Sequence, residues 1–126
     1  MAAVSSHTLD PWTYRARLVR VVDADTLEME VDLGFQVIKR ETLRLAGLDA
    51  PELGTAEGRT VRALVLDWMD EVGLAVEWPL LVTTRKTDKY RRYIAVVRDA
   101  TTARPPLNDT LLEGGYAKPW PAKGAS

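Results

Sequence analysis

Cysteine is absent from the 126 residues, and histidine occurs once, as His7. Without thiols there are neither disulfides nor thiolate-bound metals, and one histidine in a polar stretch is too little for a histidine-built zinc centre or a Ser-His-Asp triad. No apolar run approaches the roughly 20 residues that a membrane span needs. The opening Met1-Ala2-Ala3-Val4-Ser5-Ser6-His7 carries neither the basic nor the apolar part of a secretory signal, so a soluble, cytoplasmic protein is the expectation. Surplus positive charge is missing as well: 17 Lys and Arg stand against 18 Asp and Glu, a formal charge of −1. Because non-specific binding to phosphates draws on surplus cations, any nucleic-acid surface here has to be local.

The cations are indeed clustered. Arg85-Lys86-Thr87-Asp88-Lys89-Tyr90-Arg91-Arg92 holds five of them with one anion, and Arg15, Arg17 and Arg20 form a smaller group. Residues 1–12 read as a flexible lead-in, 13–118 as a single folded domain and 119–126 as a short tail. Within the domain, a β-branched run predicts a first strand over Tyr14–Val22. Leu27, Met29, Val31 and Leu33 then alternate with Glu28, Glu30 and Asp32, the period-two pattern of a strand with one buried face. A third strand is expected over Gln36–Ala46, with Leu43 and Leu45 on one face and Thr42 and Arg44 on the other.

Val61, Leu64, Val65, Trp68, Met69 and Val72 recur at helical spacing, and Gly73 is placed to end that helix. Ala75–Thr84 and Tyr90–Arg98 are the fourth and fifth expected strands, with Pro79 pointing to an edge or a bulge in the fourth. After Pro105-Pro106, the segment Leu107–Glu113 has the start signal and leucine content of a short helix. Three strands, a helix and two strands match the OB-fold. The predicted class is therefore α+β, mainly β: a five-stranded Greek-key barrel with a helix between its third and fourth strands and a short C-terminal helix.

Chemistry concentrates in Leu43-Arg44-Leu45-Ala46-Gly47-Leu48-Asp49-Ala50-Pro51-Glu52, where a strand-end arginine is followed within eight residues by two carboxylates around a proline. A second acidic turn, Asp23-Ala24-Asp25-Thr26, stands earlier in the chain. Asp25, Asp49 and Glu52 would repel a phosphodiester unless a cation sat among them, and oxygen ligands favour a hard ion, Ca²⁺ or Mg²⁺. The same acids also suit simple turns through side-chain to backbone hydrogen bonds. Arg44 is placed either to clamp a phosphate oxygen or to pair with a nearby acid. Lys89, Tyr90 and Arg92 make either a site for a phosphate and a stacked base or a solvated hairpin tip. The tryptophans, Trp68 above all, read as packing residues rather than base platforms.

Val21-Val22-Asp23-Ala24-Asp25-Thr26, the Leu43–Glu52 segment and Thr87-Asp88-Lys89-Tyr90-Arg91-Arg92-Tyr93 resemble the three signatures of the staphylococcal nuclease family, in the same order and at similar separations. Leu107–Ala117 is similar to that family's asparagine-to-glycine segment, so the resemblance runs from about Tyr14 to Lys118. It implies an OB barrel that hydrolyses DNA and RNA with little sequence preference in a Ca²⁺-dependent way, leaving 5′-hydroxyl and 3′-phosphate ends, with Mg²⁺ the lesser candidate. It further implies Asp25, Asp49 and the backbone carbonyl of Ala50 as metal ligands and Glu52 as the group that activates water. Arg44 and Arg92 would grip the scissile phosphate. Lys89 and Tyr90 would hold the neighbouring phosphate and nucleotide, with Arg91 as an added phosphate contact. A monomer acting on single-stranded nucleic acid is the expectation. The chain departs from the family pattern at Ala50, where threonine is usual, at Arg91, where glycine is usual, and at Pro119-Trp120-Pro121, where tyrosines are usual.

Overall fold

Apolar and charged residues that alternate along the first half of the chain build three long antiparallel strands. In the computed structural model, which describes residues 12–72, 76–87 and 92–120, these are β1 (Thr13–Asp23), β2 (Thr26–Asp32) and β3 (Ile38–Leu45). They are followed by β4 (Leu48–Asp49), α1 (Ala56–Glu71), β5 (Leu80–Thr87), β6 (Tyr93–Asp99), α2 (Leu107–Glu113) and β7 (Lys118–Pro119). A barrel closes in the order β1-β2-β3-β6-β5, with every neighbouring pair antiparallel except β3 and β6. This is the expected α+β, mainly β, five-stranded OB barrel, with α1 between its third and fourth strands and α2 after its fifth. No helix among the described residues is long and apolar enough to cross a membrane.

The inner face of β2 is buried at Leu27, Met29 and Val31, while its outer acids take up the basic residues of β1. Arg15 meets Asp32 at 2.6 Å, Arg17 meets Glu30 at 2.9 Å and Arg20 meets Glu28 at 2.7 Å, each pair in cross-strand register. The Gly34 N–H and then Arg15 hold the Asp32 carboxyl below its usual range. Exposed pairs of this kind contribute at most about 1 kcal/mol each, so they fix register more than stability. An irregularity between Leu18 and Arg20 bends β1, which pairs with β2 along its length and with β5 at its start.

The barrel interior is filled by Ala16, Leu27, Met29, Leu43, Leu45, Leu80, Val82, Ala95 and Val97. Val61, Val65, Trp68 and Met69 of α1 and Leu107 and Leu111 of α2 belong to the same core. A buried Asn108 ties α2 to the barrel at its parallel seam: its amide donates to Ala46 O (2.9 Å) and Ala95 O (3.1 Å), and its oxygen accepts from Val97 N (3.0 Å).

Several expectations shift. Leu33 is exposed rather than inward, because β2 ends at Asp32, whose carboxylate accepts from Gly34 N and starts the turn. Among the described residues the fourth barrel strand begins at Leu80, since Pro79 lacks the N–H of a central strand residue and the buried alternation is Leu80 and Val82, and the expected start at Ala75 lies outside the described residues. Among the described residues the fifth begins at Tyr93, and its expected start at Tyr90 lies outside them. Trp12 and Trp120 are exposed, whereas Trp68 is buried and Trp78 lies under the Arg17 guanidinium at 4.4 Å. The α1 cap is Val72, and the expected stop at Gly73 lies outside the described residues.

Candidate functional site

Arg44 is the last outward residue of β3, in register with Thr26 at the start of β2 on one side and with Ile94 of β6 on the other. Alternation along β3 turns Leu43 and Leu45 into the barrel and Arg44 to its outer surface. The tight turn before β2 then sets Asp25 beside it. Asp25 is 8% exposed and its backbone carbonyl accepts from Leu45 N at 2.8 Å. Its Oδ1 accepts from the Thr26 hydroxyl (3.1 Å) and its Oδ2 from Ala50 N (3.1 Å). A turn residue of one hairpin therefore holds the backbone of the loop that follows another strand, and the two acidic motifs meet.

Beyond β3, Gly47 takes φ +78° and the chain reverses into β4, which pairs with β7: Leu48 faces Pro119 and Asp49 faces Lys118. Trp120 N donates to Gly47 O at 2.9 Å, closing this small ladder. It sets Asp49 next to Arg44, whose Nη2 lies 3.2 Å from Asp49 Oδ1, 3.2 Å from Leu48 O and 3.5 Å from Asp25 Oδ2. The Arg44 side chain is only 19% exposed, that of Asp49 57%. Arg92, at the entry to β6, reaches the same rim, with Nη1 3.5 Å from the Thr26 hydroxyl. Two guanidinium groups and two carboxylates thus share one end of the barrel.

Glu52 occupies a different position. It lies past Pro51 with an exposed side chain, and its backbone carbonyl is gripped by Thr55 through both N (3.0 Å) and Oγ1 (2.6 Å). Thr55 is the N-cap of α1 and its hydroxyl accepts from Gly58 N at 2.9 Å. A Cβ on Gly58 would stand 1.8 Å from Glu52 O, so only glycine lets the helix press this closely on the loop. The structure accordingly brings together Asp25, Arg44, Asp49 and Arg92, with the Ala50 amide on Asp25. It does not bring the Glu52 carboxylate into their contacts. Lys89, Tyr90 and Arg91 lie outside the described residues.

Among the described residues no group of three or more His, Cys, Asp or Glu is arranged to hold a metal. The two carboxylates that converge, Asp25 and Asp49, are oxygen donors of the kind a hard divalent ion takes, while the Ala50 group that meets Asp25 is its N–H. Sequence reasoning overlooked Thr26, which joins Asp25 to Arg92, and Thr55 with Gly58, which fix Glu52. The spacing Thr55-Ala56-Glu57-Gly58 before a helical stripe was the available sign, since a threonine three residues ahead of a helix N–H is a capping arrangement.

No family model matches the chain. Micrococcal nuclease of Shigella flexneri is 33% identical to it over 86 residues, which is 67% of this chain and 42% of that protein. The chain therefore spans about two fifths of the length of this curated relative.

Proposed function

We propose that this chain, which belongs to the staphylococcal-nuclease-like family, is a calcium-dependent phosphodiesterase that hydrolyses DNA or RNA with low sequence specificity and leaves 5′-hydroxyl and 3′-phosphate ends. The observation that carries the reading is the convergence of Arg44, Asp25, Asp49 and Arg92 on one barrel rim. A phosphodiester offers paired anionic oxygens, and planar guanidinium forks match them. The Arg44 contacts to Asp25, Asp49 and Leu48 O all use Nη2, so among the described residues its other donors are left for a phosphate oxygen. Arg92 adds a second fork across Thr26. In-line attack on phosphorus depends on such positioning and on charge stabilisation more than on covalent chemistry.

Asp25, Asp49 and the Ala50 carbonyl would hold the Ca²⁺ ion. When bound, that ion would offset phosphate charge and acidify a nearby water. Glu52 would take the proton from the attacking water, its backbone anchored by the Thr55 cap while its side chain stays free to turn. Lys89, Tyr90 and Arg91 would bind the adjoining nucleotide. The test is hydrolysis of a fluorescent single-stranded DNA with Ca²⁺, with Mg²⁺ and with EDTA, alongside Glu52→Gln. Calcium-dependent cleavage that disappears in the variant supports the assignment, and a folded wild type inactive in every condition overturns it.

One observation favours a second reading. Arg44 sits against both Asp25 and Asp49, and among the described residues the Glu52 carboxylate does not complete a metal-holding group with them. A rim already balanced in charge suits an OB module that binds nucleic acid without cutting it. Salt-dependent oligonucleotide binding without hydrolysis would select it.

A further inference from the structure

The connection from β2 to β3 forms a finger without a charge. Leu33-Gly34-Phe35-Gln36-Val37-Ile38 separates Asp32 from Lys39, and its apolar side chains face water: Phe35 fully, Val37 50%, Ile38 47% and Leu33 42% exposed. Hydrogen bonds build it. Leu33 N donates to Val37 O and Val37 N to Gly34 O, both at 2.9 Å, and Asp32 Oδ1 accepts from Gly34 N at 2.9 Å. Phe35 and Gln36 hold φ +55° and +65°, where glycine would be unstrained. A phenyl ring is thus held out in water on a backbone that costs about 1–2 kcal/mol per residue, which folding alone gives no reason to keep.

Beside the finger, the end of the barrel opens as a cleft of about 560 Å³. Leu33 belongs to both, and Trp12, Tyr14, Leu43 and Tyr93 are among the other walls. Trp12 is 60% exposed and Tyr93 38%. An apolar projection and an apolar recess therefore adjoin on one face. That combination is self-complementary: a half-turn about an axis between them sets each finger in the cleft of the other copy, as an isologous two-fold contact requires.

Charge and area point to the same occupant. In a two-fold contact a patch meets itself, so a patch of one sign would repel itself. Here the cations bordering the finger are paired within the chain, Arg15 with Asp32 (2.6 Å), Lys39 with Glu41 and Arg40 with Glu30 (3.8 Å). On the cleft wall Arg85 is without an ion pair among the described residues, too little charge to hold a nucleic acid or an anionic bilayer. Trp12, Leu33, Phe35, Val37, Ile38 and Tyr93 together expose on the order of 500 Å² of side chain in each copy, or roughly 1,000 Å² across two copies, the lower bound of a specific interface.

We propose that two copies of the chain pair through this face, Phe35 of each seated in the cleft of the other against Trp12 and Tyr93. The pairing replaces the monomer expected from the sequence and does not rest on the nuclease reading. Thr26, beside the arginine rim, starts β2, and Asp32, at the base of the finger, ends it.

The test is sedimentation equilibrium of wild type, Phe35→Ser and Phe35→Leu from about 1 to 500 µM, the range in which an interface of minimal area should associate. Wild type is expected to dimerise, Phe35→Ser to weaken the dimer by about tenfold or more, and Phe35→Leu to keep most of it. All three should share one circular dichroism spectrum, because Phe35 is fully exposed in its own chain. The chain has no cysteine, so Phe35→Cys and Trp12→Cys proteins can be mixed and oxidised. They should join to one another faster than either joins to itself, since only the mixed pair brings two thiols together while keeping one native Phe35–Trp12 contact. Should Phe35→Ser lose its fold, this cross-linking decides alone. A wild type that stays monomeric to the top of the range overturns the proposal. So does a dimer indifferent to Phe35→Ser, or thiols that join without preference for the mixed pair. Monomers that sediment with phosphatidylcholine vesicles, and cease to with Phe35→Ser, assign the finger to a bilayer and also overturn it.

Discussion

Replacing Asp99 with Asn should remove a pH-dependent part of the stability. Asp99 ends β6 with its side chain 1% exposed. Burial alone would push its carboxyl up, but hydrogen bonds from the Thr101 hydroxyl and N–H, the Thr102 hydroxyl and Arg104 together hold it at about 2, against an ordinary 3.8. At roughly 1.4 kcal/mol per tenfold change in proton affinity, the difference is worth about 2 kcal/mol. The folded carboxyl is the stronger acid, so this contribution is complete well above pH 4 and is lost as the pH falls towards 2, with about half remaining near pH 3. Arg104 carries the effect outward: it also meets Glu71 at 3.0 Å and lies 4.7 Å over Trp68, so that the β6–α2 connection is fastened to the end of α1. Urea melts of wild type and Asp99→Asn at pH 7, 4 and 3 are the assay. The variant should be less stable by about 2 kcal/mol at pH 7, or roughly 5–10 °C in Tm, and the gap should narrow by about 1 kcal/mol at pH 3. A gap that stays constant between pH 7 and pH 3 would refute the reasoning, because packing loss alone does not titrate.

Other perturbations test the frame that carries the rim. Gly58→Ala sets a Cβ against the Glu52 carbonyl, which as backbone cannot swing away, and should lower stability by about 1–3 kcal/mol in urea melts while also reducing the proposed Ca²⁺-dependent rate. Asn108→Leu removes three hydrogen bonds at the parallel seam and should cost about 3 kcal/mol by the same measurement. Arg44→Lys substitutes a point charge for a planar fork whose Nη2 alone meets Asp25, Asp49 and Leu48 O, and turnover should fall by about a hundredfold or more with the fold retained on circular dichroism. Gln36→Gly relieves a positive φ and should raise Tm by a few degrees, about 0.5–1 kcal/mol.

Local pattern made much of this architecture readable. The alternation through Leu27, Met29 and Val31 gave β2 its faces, and the Pro-Pro pair before Leu107 marked the start of α2. Errors arose where a boundary depended on one polar contact: Leu33 continues the alternation on paper, but the Asp32 bond to Gly34 N ends the strand first. The β4–β7 ladder was illegible because two-residue strands separated by some seventy positions leave no periodic trace. Asn108 and Asp99 were illegible for a related reason. Each is a buried polar residue whose partners come from other segments or from an irregular turn, and its value exists only once those partners are assembled.

The rim itself depends on three closures of that non-local kind. Asp25 reaches Arg44 because Leu45 N bonds the Asp25 carbonyl at the end of the β2–β3 pairing. Asp49 reaches it because β7 pairs with β4. Arg92 reaches it because β6 runs parallel to β3 over Leu43–Leu45, a short seam that Asn108 locks from the side of α2. A change in any one closure should therefore separate one charge from the others while the barrel core survives. The catalytic consequence of Asn108→Leu should accordingly exceed its loss of stability: at a temperature where both proteins are fully folded, the variant should turn over more slowly than wild type, and equal rates there would show that the seam stabilises the barrel without positioning Arg92.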